Sequence, residues 1–139
     1  MCIKKMRIIK RISGFTLVEL SFALIILAVI CAIGIYVYIG YIDKARVTVA
    51  EHTLLTARDN LNIYNIDNGK YPDSISFDTC VDENSRAVFS SSFCKQLKED
   101  LSSIDSYTYN TEQRTYTLIA RAKNVKRTTL TLTPTKVTQ

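Results

Sequence analysis

The sequence has few of the residues on which most enzymes depend. Its 139 residues include a single histidine, His52, and four glycines scattered along the chain. His52 stands between Glu51 and Thr53 on a predicted helix, so it gives no support to a Ser-His-Asp triad, which is defined by geometry. The scattered glycines exclude a glycine-rich phosphate loop. The acidic pairs Asp82-Glu83 and Glu99-Asp100 are interpreted as solvated surface charge. We therefore expect no enzyme, no catalytic residue and no cofactor.

Acidic residues are missing from the first segment. The formal net charge of the chain is +5, and five cations but no acid precede Gly14. From Phe15 onward the 13 basic and 13 acidic side chains balance. The basic excess therefore predicts membrane topology, with a cytoplasmic N-terminus, rather than binding of nucleic acid. The five cations are Lys4, Lys5, Arg7, Lys10 and Arg11.

A second basic cluster lies near the C-terminus. It consists of Arg121, Lys123, Lys126 and Arg127. Nucleic acid contact at this cluster is an alternative, but a solvated face is preferred because no aromatic residues alternate with the charges and the chain from Phe15 onward is neutral.

Charge is absent from Leu20 to Ile42, and Glu19 is the one charge in the longer apolar run from Phe15 to Ile42. At about 1.5 Å per residue, this 28-residue run exceeds the roughly 30 Å of a bilayer core. It is also longer than the apolar region of a cleavable secretory signal, which has about 7–15 residues. The run predicts a membrane span, with the following residues outside the cytoplasm. Tyrosines near its outer end are typical of an interfacial belt: Tyr36, Tyr38 and Tyr41.

No proline or glycine separates the apolar run from an amphipathic stretch. Apolar residues recur there at intervals of three and four, which predicts one stripe of a helix. We expect a single helix from about Phe15 to about Ile66, stopped by Asp67-Asn68-Gly69. The stripe needs a partner that packs on it. Its members are Val47, Ala50, Leu54, Ala57, Leu61 and Tyr64.

The C-terminal third carries strand signals. Tyr107–Tyr109, Tyr116–Ala122 and Thr128–Thr133 alternate in the manner of β-strands. Residues 73–106 are expected to be irregular, with a short helix from Phe93 to Leu101. The predicted fold class is α+β: a long N-terminal helix packed on a three-stranded antiparallel sheet.

Two of the four cysteines lie in the polar part of the chain. Cys80 and Cys94 are separated by 13 residues and are natural disulfide partners in an oxidising exterior. A metal site is the weaker interpretation, because the spacing fits no zinc pattern. Cys2 lies in the basic segment and Cys31 in the apolar run.

Glu19 requires an explanation, because a charge inside a membrane span costs about 2.5–3.5 kcal/mol. One interpretation is a polar residue tolerated near the cytoplasmic interface. The other begins with cleavage after Gly14, which would leave a free amine on Phe15 one helical turn from Glu19. The carboxylate would then pair with that amine in the same chain or in a neighbouring one, and the second case would set a register for assembly.

The residues around this junction resemble a known signal. Lys10-Arg11-Ile12-Ser13-Gly14, followed by Phe15-Thr16-Leu17-Val18-Glu19-Leu20, is similar to the type III signal peptide of type IV pilins and type II secretion pseudopilins. The resemblance implies that a prepilin peptidase cuts between Gly14 and Phe15 and N-methylates Phe15. It also implies that Glu19 pairs with the new N-terminus of an adjacent subunit. Asn68-Gly69-Lys70-Tyr71-Pro72 looks like the turn after the helical spine, and Cys80 with Cys94 is similar to the disulfides of many pilins.

The resemblance implies three segments: a leader of residues 1–14, a transmembrane and polymerisation half of residues 15–42, and a periplasmic or extracellular globular domain of residues 43–139. Such a chain would first be a single-pass protein of the bacterial inner membrane, in contact with lipid. It would then join a periplasmic or cell-surface filament. The implied partners are copies of itself, related minor pilins, the peptidase and the inner-membrane assembly platform.

Two departures from the family pattern bear on function. The apolar half lacks the proline that many type IV pilins carry midway, and Gly34 and Gly40 are its only breakers, so the sequence leaves open whether the helix kinks at either glycine. The tail from Lys126 to Gln139 has no acidic residue, whereas major secretion pseudopilins often carry an acidic calcium loop. We therefore expect no calcium and favour a major or minor pilus subunit. The alternatives are a pseudopilin of a type II secretion or DNA-uptake (competence) apparatus, and a single-span anchor for a binding domain that does not polymerise.

Overall fold

The computed structural model describes residues 14–139, and the predicted basic leader up to residue 13, with Cys2, lies outside the described residues. The chain forms two compact units, one ending at Tyr38 and one comprising Ile39–Gln139. In chain order the elements are α1 Leu17–Asn68, β1 Ile75–Ser76, β2 Val81–Asp82, α2 Ser91–Asp100, β3 Leu101–Asn110, β4 Thr115–Ala122, β5 Thr129–Leu132 and β6 Val137–Thr138.

Helix α1 confirms the prediction of one helix, with its start and its end each two residues later than expected. It has 52 residues and is continuous through Gly34 and Gly40. It ends where Gly69 adopts a φ of +76° and donates its N–H to the carbonyl of Asn65 at 2.8 Å. Glycine suits this left-handed position because it has no Cβ to clash there.

The predicted apolar stripe of α1 is buried as expected. Ala50, Leu54, Ala57, Leu61 and Tyr64 are buried in the core, and Val47 packs at its edge. The opposing residues come from alternate positions of β4 and β5, which point to the same face of the sheet. The sheet residues in this core are Tyr116, Leu118, Ala120, Ala122, Leu130 and Leu132.

The prediction of a three-stranded sheet is wrong, because the sheet has four antiparallel strands in the order β3-β4-β5-β6. The added strand β6 has only two residues, too few to show an alternating pattern. A turn brings it back onto β5, with the N–H of Thr133 donating to the carbonyl of Lys136 at 2.9 Å. Val137 then lies opposite Leu132.

Strand β3 begins at Leu101, six residues before its predicted start at Tyr107. Its pairing with β4 has register shifts between Leu101 and Ser103 and between Ile104 and Ser106. Such bulges interrupt the two-residue alternation on which strand prediction depends. The first half of the strand was therefore mistaken for irregular structure.

The region between α1 and β3 is more ordered than predicted. Strands β1 and β2 form a small antiparallel sheet, and α2 begins two residues before its predicted start. The side chain of Ser90 caps α2 by accepting the N–H of Phe93 at 3.3 Å. The Sγ atoms of Cys80 and Cys94 are 2.06 Å apart, which confirms the predicted disulfide.

The interpretation of Asp82 as solvated charge is wrong, since only 6% of this residue is exposed. Its Oδ2 accepts the hydroxyl of Tyr64 at 2.6 Å, and its Oδ1 accepts the N–H groups of Asn84 and Arg86 at 2.9 and 2.7 Å. Asp82 therefore ties α1 to the loop after β2. Its neighbour Glu83 is exposed, as predicted.

Candidate assembly site at the N-terminal end of helix α1

The predicted cleavage bond joins Gly14 to Phe15, just before α1 begins. Both residues are exposed, and Phe15 retains 79% of its accessible surface. A Cβ built on Gly14 would meet no heavy atom within 4 Å. Packing among the described residues therefore does not require glycine at position 14. Recognition by another molecule is the other reason for a glycine at this position.

Thr16 and Glu19 form a reciprocal cap on the first turn of α1. The N–H of Glu19 donates to Oγ1 of Thr16 at 3.2 Å. In return, Oε2 of Glu19 accepts the N–H of Thr16 at 3.4 Å and its hydroxyl at 3.3 Å. This is the capping-box arrangement, in which an N-cap threonine and an N3 glutamate satisfy backbone donors that the helix leaves unpaired.

Neither this local role of Glu19 nor the role of Thr16 is among the predictions made from the sequence. The signal was present, because Thr16-Leu17-Val18-Glu19 fits the capping-box spacing of threonine and glutamate. A carboxylate in the first turn also interacts favourably with the positive end of the helix dipole. Part of the cost of Glu19 in an apolar run is therefore offset within its own helix.

The capping box also holds the carboxylate near the predicted new N-terminus. Oε2 of Glu19 lies 3.4 Å from the nitrogen of Thr16, which is one residue beyond Phe15. Both of its contacts use Oε2, so among residues 14–139 the Oε1 atom accepts no hydrogen bond. The carboxylate thus keeps one oxygen for a further donor.

The apolar half of α1 has no partner among the described residues. Every residue from Leu17 to Tyr41 is exposed, and the most apolar 18-residue window has a mean hydropathy of 2.8 with none of it buried. By length and composition this helix can cross a membrane. Burial of so much apolar surface is strongly favourable, so the segment requires lipid or other helices around it.

Other residues singled out in the sequence lie apart from this end of α1. His52 is exposed on α1, and Cys31 is an exposed free thiol. In the described part of the chain, no group of three or more His, Cys, Asp or Glu side chains is placed to hold a metal ion.

Comparison with known proteins first indicates the class of protein to which this chain is similar. Residues 9–35 match the family described as the prokaryotic N-terminal methylation motif. The match covers the end of the basic segment, with Lys10 and Arg11, the Gly14–Phe15 bond, Glu19 and the apolar run as far as Ile35.

The chain is also similar to one particular protein, and this similarity is consistent with that class. The chain is 35% identical over 60 residues to the type II secretion system core protein G of Pseudomonas aeruginosa. That alignment covers 43% of this chain, and the chain spans 42% of the length of that relative. No solved structure matches the chain. Together the two matches support a type IV pilin-like family.

Proposed function

We propose that this chain is a structural subunit, pilin or pseudopilin, of a helical filament of the type IV pilus kind. A prepilin peptidase removes residues 1–14 and N-methylates Phe15, and subunits then assemble through their N-terminal helices. One observation carries the proposal: the carboxylate of Glu19, whose Oε1 has no hydrogen-bond donor among residues 14–139, stands at the exposed start of an apolar helix, inside a match to the N-terminal methylation motif.

The proposed pairing explains why the charge is retained. After cleavage, the amine of Phe15 in one subunit pairs with Glu19 of its neighbour, so neither charge enters the apolar filament core alone. Opposite charges brought together in a low dielectric attract strongly, and removal of one partner leaves an uncompensated charge. The capping box supports this step by fixing the glutamate rotamer before the neighbour arrives.

The chain first spans the inner membrane with its N-terminus in the cytoplasm, and residues 43–139 lie in the periplasm or outside the cell. It is then extracted by an inner-membrane assembly platform into a filament of like subunits and related minor pilins. The exposure of every side chain from Leu17 to Tyr41 supports both environments, because lipid and neighbouring helices each cover an apolar helix all round.

A second candidate function is a pseudopilin of a type II secretion or competence apparatus. The similarity to a type II secretion core protein favours it. The lack of acidic residues from Lys126 to Gln139 favours the pilus instead. Deletion of the gene separates the two, because loss of surface fibres with normal secretion supports a pilus, and loss of secretion supports the pseudopilin.

Substitution of Glu19 tests the assembly mechanism. We expect Glu19→Ala to reduce filament assembly by more than about 100-fold, since breaking a buried ion pair costs about 3–5 kcal/mol. Membrane insertion should be unchanged, because the apolar run becomes more apolar. Sheared filaments are measured by electron microscopy and immunoblot, and insertion by carbonate extraction of membranes.

Two further variants separate pairing from capping. Glu19→Gln keeps a side chain able to complete a capping box but removes the charge, so pairing predicts that it fails to assemble like Glu19→Ala. Thr16→Ala removes the cap but keeps the charge, so it should assemble. Normal filaments from Glu19→Gln would reject the pairing. An uncleaved, unmethylated N-terminus in mass spectra of the native protein would favour a single-span anchor that does not polymerise.

A further inference from the structure

The loop between β4 and β5, residues 123–128, presents an apolar tip among cations. Val125 is 79% exposed, and the side chains of Lys126 and Arg127 next to it are also exposed. The loop has a fixed shape. Asn124 is buried, its Oδ1 accepts the N–H of Thr128 at 2.8 Å, and its carbonyl accepts the N–H of Arg127 at 3.1 Å. The apolar tip and its flanking cations are therefore held in place together.

Two hydrogen bonds fasten this loop to α1. Oδ1 of Asp43 accepts the N–H of Val125 at 2.6 Å, and Nη1 of Arg46 donates to the carbonyl of Lys123 at 3.1 Å. Asp43 and Arg46 are the first and fourth residues after Ile42, where the apolar run ends. At about 1.5 Å per residue, the two anchor points lie about 1.5 and 6 Å beyond that end along the helix axis.

This position corresponds to the headgroup layer of a membrane. The charge-free stretch Leu20–Ile42 supplies about 35 Å of helix, a little more than the roughly 30 Å hydrocarbon core. The headgroup region adds about 5–8 Å on each side. If α1 spans a bilayer as proposed above, the β4–β5 loop therefore lies at headgroup depth in the leaflet next to the globular unit.

The charges around the loop complement an anionic surface. Lys44, Arg46, Lys126 and Arg127 are all exposed, and no ion pair within residues 14–139 engages any of them. Oδ1 of the nearby Asp43 accepts the Val125 N–H, and the negative charge of this carboxylate offsets one of the four cations. Arg121 does not belong to this set, because its Nε is paired with Asp105 at 2.7 Å.

We propose that the β4–β5 loop docks on the headgroups of anionic phospholipids while α1 spans the membrane, with Val125 inserted and the cations on phosphate groups. Each cation near an anionic leaflet shifts the equilibrium between the free and the docked loop about fivefold towards the docked state. A few cations therefore give a stable but reversible contact. Docking fixes which side of the globular unit faces the membrane before assembly. Nucleic acid fits less well, because the loop offers a valine at its tip where single strands require aromatic stacking.

The test uses the full chain in vesicles, with a polarity-sensitive dye on a cysteine at position 125 (Val125→Cys) in a background with Cys2→Ser and Cys31→Ala. The reference dye is placed by Gln113→Cys in the turn between β3 and β4. That turn lies at the opposite end of β4, about 25 Å away. Quenching by neutral acrylamide is compared in vesicles of phosphatidylglycerol with phosphatidylcholine and in vesicles of phosphatidylcholine alone.

We expect the dye at position 125 to be shielded in the anionic vesicles only, and the dye at position 113 to be accessible in both. The double variant Lys126→Glu with Arg127→Glu should lower the ratio of docked to free loop by about 25-fold or more, because each of the two lost cations contributes about fivefold. The matched variant Arg114→Glu, in the β3–β4 turn, should leave the ratio unchanged. Salt at about 0.5 M should weaken docking through screening. Near-UV circular dichroism of each variant checks that the globular unit is folded.

Equal shielding in both vesicles, or shielding that survives the charge reversals, would overturn the proposal. Shielding by short duplex DNA in neutral vesicles, stronger than that by anionic lipid, would assign the loop to nucleic acid instead. Carbonate extraction distinguishes this proposal from the proposed function. A chain that inserts but shows no shielding contradicts docking alone, and a chain that does not insert contradicts the span and the docking together.

Discussion

Two carboxylates show how this chain accommodates charge in unfavourable places. Glu19 stands in an apolar run, and its Oε2 accepts hydrogen bonds from Thr16 while its Oε1 accepts none from the residues that the structure describes. Asp82 is buried in the globular unit and accepts hydrogen bonds on both oxygens. The hydrogen bond from Tyr64, together with the backbone N–H groups, holds the pKa of Asp82 below its ordinary value. Burial, followed by the same hydrogen bond, raises the pKa of Tyr64.

The low pKa of Asp82 predicts an acid limit to stability. Because its folded-state pKa is lowered, its stabilisation is complete above an unfolded pKa of about 3.9 and is lost as the pH falls through the folded value. Asp82→Asn should therefore lower the melting temperature at neutral pH and flatten the decline of the melting temperature as the pH falls below the unfolded pKa of about 3.9. The decline is measured by thermal melts followed by circular dichroism.

The control for this prediction is Asp67→Asn, at an exposed carboxylate near the end of α1. It should keep the steep acid decline of the wild type. An Asp82→Asn profile parallel to that of the control would contradict the assignment of the acid limit to Asp82.

Among the elements, α1 shows how much a periodic pattern can predict. The intervals of three and four placed Leu54 and Ala57 on the buried stripe, and both are buried. The bulges in β3 and the two residues of β6 left no such pattern, so a strand start and a whole strand were missed. Regular elements longer than a few residues are readable, whereas short or irregular ones depend on their partners.

Adjacent leucines on α1 provide a matched test of the stripe. Leu54 is fully buried, while Leu55 is 37% exposed. We expect Leu54→Ala to reduce the free energy of unfolding by about 2–5 kcal/mol, because it leaves a cavity in the core. Leu55→Ala should cost much less, on the order of 0.5 kcal/mol. Urea unfolding of the full chain in detergent, followed by near-UV circular dichroism, measures both, and equal losses would contradict the assigned face.

At the scale of the whole molecule, the disulfide between Cys80 and Cys94 constrains the region between α1 and β3, in which the strands have only two residues each. Both cysteines are buried in the same core as the stripe of α1 and the sheet. The bond therefore attaches the region between α1 and β3 to the layer formed by helix and sheet. Its loss should loosen this region without altering the span.

Removal of the disulfide should lower the stability of the globular unit. With a sequence separation of 14, the chain-entropy relation gives a loss of about 3 kcal/mol for Cys80→Ser with Cys94→Ser. Cys31→Ser, at the free cysteine of the apolar run, is the control and should leave the urea midpoint unchanged. A midpoint that is the same in all three proteins would show that the bond adds no stability.

The sequence by itself determined the features that depend on local pattern: the charge boundary at Gly14, the uncharged run, the single long helix, its buried stripe and the disulfide partners. These follow from composition and short-range spacing. Tertiary structure alone decided the burial of Asp82, the pairing of β6 and the attachment of the β4–β5 loop to Asp43 and Arg46. Tyr64 and Asp82 are 18 positions apart, and Asp43 and Val125 are 82 positions apart, so no spacing in the sequence records which distant donor will meet a given acceptor. Strand β6 pairs with a near neighbour, but its two residues are too few to show an alternating pattern.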